Sequence, residues 1–367
     1  MTGELRALTG ARGLAAWFVV FYHVRAALGA PDAVLAVLAK GYLAVDFFFL
    51  LSGFVIWLSY ADRIATQRWR AVPNFLLRRV ARIWPLHLVM LGFALLIVLA
   101  LSLTGRPIDS RFSLGALPLH VLLVQNWPIA QAVFGKTSLD WNDPAWSISS
   151  EMFAYLVFPL LALALDWKKT PTPILLAAIG AVLVLLAYIM MSRGMLTLGQ
   201  AIPYFGQVRC VTEFAAGTAV GALWLRFRED PARPLAIALG VCALAFALFV
   251  SGVLGEIATV PTALAALLLA VALTSGRTGN PLGGRVIHYL GEISFATYLS
   301  HSLLWKAFKL VFVHSAGIVP PALIAAFLGL VMAASIALYH LVERPAQNWI
   351  NGLSSGRSRA GTGAFPI

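Results

Sequence analysis

Apolar runs of about 20 residues recur along the whole chain, continuous rather than alternating, with short stretches rich in Arg, Lys, Asp, Pro or Gly between them. Runs of that length cross a bilayer core as helices, whereas barrel strands alternate apolar and polar positions over about ten residues. The pattern predicts about ten spans, at 13–30, 41–60, 83–104, 147–165, 173–191, 208–227, 235–252, 256–274, 289–312 and 319–341. Residues 114–127, "LGALPLHVLLVQNW", are apolar too, but short and followed by a polar stretch rich in Trp and Pro. That combination predicts a re-entrant or interfacial segment. The expected fold is an all-α integral membrane protein with one membrane-embedded domain over 1–343. A tail, 344–367, is expected to follow, and its Gly/Ser/Arg composition from Gly352 on predicts disorder.

Composition agrees. Of the 367 residues 60% are hydrophobic and 11% charged, against about 25% charged in a soluble globular domain, and mean hydropathy is +0.85. The net charge is +12. In a soluble protein that would suggest nucleic acid; here no such partner is expected, because basic residues hold cytoplasmic loops in place. With the N-terminus inside and ten spans, the inside segments hold roughly 18 of the 27 Lys and Arg. Were 114–127 a span, every later basic loop would change sides. Both termini are therefore expected in the cytoplasm, the first run being a retained helix rather than a signal peptide. Cys210 and Cys242 suggest neither disulfide nor metal site, and CxxC, HExxH and P-loop motifs are missing from the sequence.

Against this apolar background the polar groups stand out. Arg12 and His23 lie 11 positions apart in the first run, which is roughly 20° past three helical turns and about 16 Å along the axis, so they share a face. Arg12 is placed at the cytoplasmic mouth, as an anchor or a ligand group. His23 is placed in the outer half, where an ionisable group usually has a function. Asp46 sits among Phe47, Phe48 and Phe49 and needs a partner. Its depth in the antiparallel second run matches that of His23, so the two are expected to pair, as a general-base dyad or as a structural bond. In "WNDPAWSISSE", Asp143 and Pro144 read as a helix start. Glu151 follows about two turns in, at the depth of His23, with Ser147 one turn nearer the surface. Asn142, Trp141 and Trp146 suit a lip for a sugar, or an interfacial belt. Arg78, Arg79 and Arg82 gather in a predicted cytoplasmic loop, and guanidinium forks match phosphate oxygens. Ser300 and His301 lie near the middle of the ninth run, as substrate contacts lining a cavity or as a structural bond. Cations at the inner mouth and a His with carboxylates further out fit a long donor with a phosphorylated head and a thin reactive tail, the shape of a coenzyme A thioester. A transporter using the same groups as a proton relay, or a flippase for a lipid-linked sugar, is the alternative.

The motifs resemble the membrane acyltransferase family 3, bacterial enzymes that O-acylate surface polysaccharides and related acceptors. The resemblance runs from "LRALTGARGLAAWFVVFYHV" to "YHLVERPAQNWI". It rests on Arg12 with His23, on "LAVDFFFLLSGF" with Asp46 and Ser52, and on "RRVARIWP" with Arg78, Arg79, Arg82 and Pro85. "WSISSE" with Trp146, Ser147 and Glu151, and "SFATYLSH" with His301, complete it. The resemblance implies an enzyme of the bacterial inner membrane that uses acyl-CoA, above all acetyl-CoA, needs no metal, and acylates a hydroxyl of a carbohydrate or lipid-linked glycan. His23, Asp46 and Glu151 are then the expected catalytic groups, and Arg12, Arg78, Arg79 and Arg82 hold the donor. Ser147, Trp146, Asn142 and His301 are expected on the acceptor. Direct transfer and an acyl-histidine intermediate both stay open.

Overall fold

The computed structural model describes residues 5–109, 112–134, 141–277, 279–313 and 317–355. Among them all regular structure is helical: α1 Arg6–Val24, α2 Asp32–Leu38, α3 Ala44–Gln67, α4 Val72–Leu103, α5 Leu117–Val121, α6 Pro128–Phe134, α7 Ala145–Ala164, α8 Thr172–Met191, α9 Ile202–Phe227, α10 Ala232–Val250, α11 Glu256–Thr274, α12 Arg285–Glu292, α13 Ser294–Phe312, α14 Pro321–Leu338 and α15 Arg344–Ser355. Eight helical stretches among the described residues are long and apolar enough to cross a membrane, and one of them, Asp32–Leu103, contains both α3 and α4. The protein is an all-α integral membrane protein. The long helix outside that set is α13, whose apolar stretch is interrupted by Ser300, His301, Ser302, Lys306 and Lys309.

Three boundaries differ from the sequence expectation. First, α4 begins well before residue 83, with Pro73 in its opening turn, where proline's missing N–H costs nothing. Arg78, Arg79 and Arg82 are therefore on a rigid helix and not on a loop. Second, the ninth predicted span breaks at Ile293 into α12 and α13. Third, the expected tail begins as helix α15, which packs along α4; its final stretch, 356–367, lies outside the described residues. Residues 114–127 form a short 3-10 turn and α5 rather than a long helix. Gln125, Asn126 and Trp127 then dock on the start of α7 through Ala145, Ser149 and Ser150.

The innermost helix is α9. Nearly every residue from Gly206 to Trp224 is buried, and α3, α7, α8 and α11 surround it. Small residues allow backbones to touch here. A Cβ on Gly217 would stand 2.0 Å from the Leu50 carbonyl oxygen, and one on Gly53 would stand 1.9 Å from that of Phe214. Without a hydrophobic force between helices in lipid, such close approach is what holds them together. A second group, α1, α12, α13 and α14, packs beside the first. Helix ends sort onto two faces. Lys168 with Asp62, Arg226 with Thr172, Ala7 with Ser275 and Arg82 with Glu343 tie one arginine-rich face together. On the opposite face Lys40 and Tyr42 bind Glu256, and Lys306 binds Asp143.

Candidate active site

The site is a polar column between α1 and α13 on one side and α3, α7 and α9 on the other. Arg12 and His23 do share a face of α1, and it looks onto α12–α13. Arg12 Nη2 donates to the Gly291 carbonyl at 2.8 Å, and Nε to the same oxygen at 3.3 Å. That carbonyl is at the end of α12, where helical carbonyls lack intrahelical partners. One level further along, His23 Nδ1 lies 3.1 Å from His301 Nε2. The pairs 12–291 and 23–301 keep nearly constant sequence offset, so the two elements run parallel in register. The break between α12 and α13, which apolar periodicity does not reveal, is what opens the Gly291 oxygen to Arg12, which shares it with Ser294 Oγ at 2.7 Å.

At the arginine-rich end, the Arg82 guanidinium pairs with Glu343, which is 1% exposed. Glu343 closes the π-helical turn Tyr339–Glu343 between α14 and α15. One of its carboxyl oxygens takes the Arg82 N–H, and the other is buried without a partner. Arg82, Glu343 and Glu151 are the carboxylate and guanidinium neighbours of Arg12. Arg79 donates to Tyr60 Oη at 3.2 Å, and its guanidinium lies over the Tyr60 and Tyr155 rings. Arg78 uses Nε on Asn74. The three arginines of the block thus diverge: Arg82 and Arg79 turn toward the column, and Arg78 bonds along its own helix.

Midway, Glu151 accepts from Ser52 Oγ and from Tyr155 Oη, the latter at 2.6 Å. It links the level of Arg12 to the interior. Asp46 corrects the expectation of a His23 dyad. It is fully buried and faces α9, where Arg209 Nη2 donates to its two oxygens at 2.7 and 2.8 Å and Nε to one of them at 3.0 Å. Arg209 itself is 1% exposed and its guanidinium lies 5.4 Å from the Trp146 ring centre. Glu213, one turn on along α9, is fully buried beside Asp46, close enough for the two carboxyls to share a proton. Sequence reasoning missed Arg209, Glu213 and Glu343. The signal was there: Arg209 and Glu213 are opposite charges four residues apart inside an apolar span, and an intramembrane cation is the natural partner of an intramembrane carboxylate.

At the opposite end, His23 Nδ1 also meets the Val19 carbonyl at 2.9 Å. His301 is fully buried, whereas His23 is partly open. Asp143, Arg25 and Lys306 are the charged groups whose fields reach His23. Asp143 accepts from Lys306 at 3.0 Å and from Ser302 at 2.9 Å. Asn142 and Trp146, expected on an acceptor lip, and Ser147, expected to position the acceptor, are instead tied inward. Ser147 Oγ donates to the Pro144 carbonyl and takes the Tyr298 hydroxyl at 2.7 Å. Asn142 Nδ2 donates to the Leu299 carbonyl at 2.8 Å. Trp146 packs on Phe49 and Arg209. They join α7 to α9 and α13; the polar groups left around His23 are Asp143, Ser302, Lys306 and Arg25.

Comparison with known proteins bears on this arrangement. Residues 5–340 match the family described as "Acyltransferase domain". Relatives include "Acyltransferase MdmB" of Streptomyces mycarofaciens, 30% identical over 82% of this chain and 79% of that protein. "Exopolysaccharide production protein ExoZ" of Rhizobium meliloti (strain 1021) is 28% identical over 87% of this chain and 92% of its own length. "O-acetyltransferase OatA" of Staphylococcus aureus (strain NCTC 8325 / PS 47) is 25% identical over 65% of this chain and 38% of its own length. No solved structure matches the chain.

Proposed function

Because this chain belongs to the acyltransferase-domain family, we propose that it is a membrane O-acyltransferase that carries an acyl group, acetyl above all, from cytoplasmic acyl-CoA to a hydroxyl of a carbohydrate or lipid-linked glycan across the bacterial inner membrane. The observation that carries this reading is the single stripe on α1, with a guanidinium at one level and a partly open imidazole about 16 Å further along. The arginine-rich face is assigned to the cytoplasm by the bias of basic residues toward that side, which leaves His23 in the far half. The names of two relatives, one an exopolysaccharide production protein and one an O-acetyltransferase, favour a glycan acceptor and an acetyl group.

In this mechanism the donor's phosphates meet Arg12, Arg79 and Arg82, with Arg78 at the rim. The pantetheine arm follows α1 and brings the thioester to His23. The imidazole Nε2 takes the proton of the acceptor hydroxyl as its oxygen bonds to the thioester carbonyl carbon. The C–S bond then breaks with its electron pair on sulfur, and the proton passes from Nε2 to the thiolate. Glu151 with Ser52 and Tyr155 lines the path of the arm. The Asp46–Arg209 pair holds the wall behind it. Asp143, Ser302 and Lys306 are the groups available to the acceptor.

His23→Ala is expected to abolish transfer while the protein remains folded in the membrane. The check is the alkali-labile acetate on surface polysaccharide of a bacterial host expressing either form, beside the yield of purified protein. Acetate at the wild-type level with the variant would defeat the reading. CoA is also expected to raise the unfolding temperature of the detergent-purified protein; a transporter of glycan alone would show no such shift.

A further inference from the structure

We infer that His301 is a positioning residue for His23: it accepts the Nδ1–H of His23 and so stabilises the positive charge that forms when His23 is protonated. The inference rests on the reading of His23 as the base.

A backbone carbonyl can only accept. The Val19 carbonyl, 2.9 Å from His23 Nδ1, therefore requires that nitrogen to carry the hydrogen. His301 Nδ1 lies 3.2 Å from the Thr297 carbonyl and carries its hydrogen for the same reason. A neutral His301 then presents a lone pair on Nε2. That lone pair is 3.1 Å from His23 Nδ1. The His23 N–H is shared between a carbonyl and an imidazole nitrogen, and its own lone pair is left on Nε2, the open end of the chain.

The arrangement does the work of a carboxylate behind a histidine without placing a charge in the bilayer. An unpaired carboxylate at that depth is costly, and the one the sequence offered, Asp46, is committed to Arg209. When His23 Nε2 takes the hydroxyl proton, the positive charge stays on His23, whose Nδ1–H the His301 Nε2 lone pair goes on accepting, while His301 Nδ1–H stays on the Thr297 carbonyl. On collapse of the intermediate the Nε2 proton goes to the departing sulfur. No proton is gained or lost by the pair over a turnover. Tyr298 and Tyr22 flank the two rings, and the charged groups facing His23 are Asp143, Arg25 and Lys306. None of these meets His23 Nδ1, so the acceptor role falls to His301 and Val19.

The test compares His301→Leu, which fills the space and accepts nothing, with His301→Gln, whose side-chain oxygen reaches about as far as the imidazole Nε2. His23→Gln runs beside them. Each protein is placed in proteoliposomes with radiolabelled acetyl-CoA and the host's extracted surface polysaccharide, and CoA affinity is measured by calorimetry. Loss of an orienting acid–base partner is expected to lower kcat about a hundredfold in His301→Leu. His301→Gln is expected to recover most of that loss, with CoA affinity unchanged in both. Wild-type kcat in His301→Leu would overturn the inference, as would equal losses in both variants accompanied by weaker CoA binding, which marks a merely structural residue. An active His23→Gln would instead sink the reading of His23 as base. An inactive His23→Gln beside a fully active His301→Leu would sink the role of His301 alone.

Discussion

Arg209 shows what a single buried charge does to the rest of a site. Its planar fork satisfies both oxygens of Asp46 at once, a geometry lysine cannot reproduce. Removing it would leave Asp46 and Glu213 side by side without a counter-charge, in a position where neither reaches water. Breaking a buried pair in this way costs about 3–5 kcal/mol, whereas replacing both members by apolar groups is often close to neutral. Arg209→Met is therefore expected to lower the unfolding temperature in detergent sharply, and the double variant Asp46→Leu with Arg209→Met to recover much of the loss. A single variant as stable as the wild type would mean that the carboxyls take up protons freely and that the pair is not what holds α3 to α9. The same residue marks the limit of sequence reading. That Asp46 needed a partner was legible from the three phenylalanines after it. Which partner was not, because depth along a helix does not give the direction of a side chain, and Asp46 on α3 points to α9 rather than back to α1.

At the scale of elements, the placement of His23 depends on how closely α1 approaches the α12–α13 junction. A Cβ on Gly291 would stand 1.9 Å from the Thr9 carbonyl oxygen, and one on Gly13 2.6 Å from the Gly291 backbone nitrogen. These are backbone atoms, so no rotamer change relieves the clash. Gly291→Val is expected to wedge α1 off α13, lengthen the His23–His301 bond and draw Arg12 off its carbonyl. Displacements of about 1 Å at a reacting group can cost a hundredfold in rate. The check is acyl transfer in proteoliposomes, with membrane insertion and size-exclusion profile as controls; transfer at the wild-type rate would show that the register of α1 on α13 is not needed. Apolar runs revealed most of the long helices because length and hydropathy are local. The start of α4 was hidden because apolar length does not mark it, and the break at Ile293 because it depends on a neighbour. Arginines at the rim of the bilayer look like a loop until Pro73 is read as a helix start, and a helix can end inside an apolar run when side chains, here Arg12 and Ser294, donate to a carbonyl of its last turn.

Seen as a whole, the molecule sets its cationic mouth against a carboxylate of its own. Arg82 and Arg12 would repel one another at the arginine-rich face, and Glu343, presented by the π-helical turn between α14 and α15, sits among them. An anionic donor and Glu343 then compete for Arg82, because one guanidinium cannot pair fully with both. Glu343→Gln keeps the shape of the side chain and the hydrogen bond but removes the charge, so CoA is expected to bind about three- to tenfold more tightly, a gain of up to about 1.4 kcal/mol. The variant without CoA should be less stable than the wild type, because Arg82 and Arg12 lose their counter-charge, and CoA should raise its unfolding temperature by more. Arg82→Gln is expected to weaken binding and to flatten its dependence on salt. Calorimetric titration of the purified protein with CoA at two salt concentrations separates the cases. If Glu343→Gln weakens CoA binding as Arg82→Gln does, Glu343 holds the guanidinium in its working posture and does not stand in for the donor; if it strengthens binding, the turn that carries it must give way each time a donor enters.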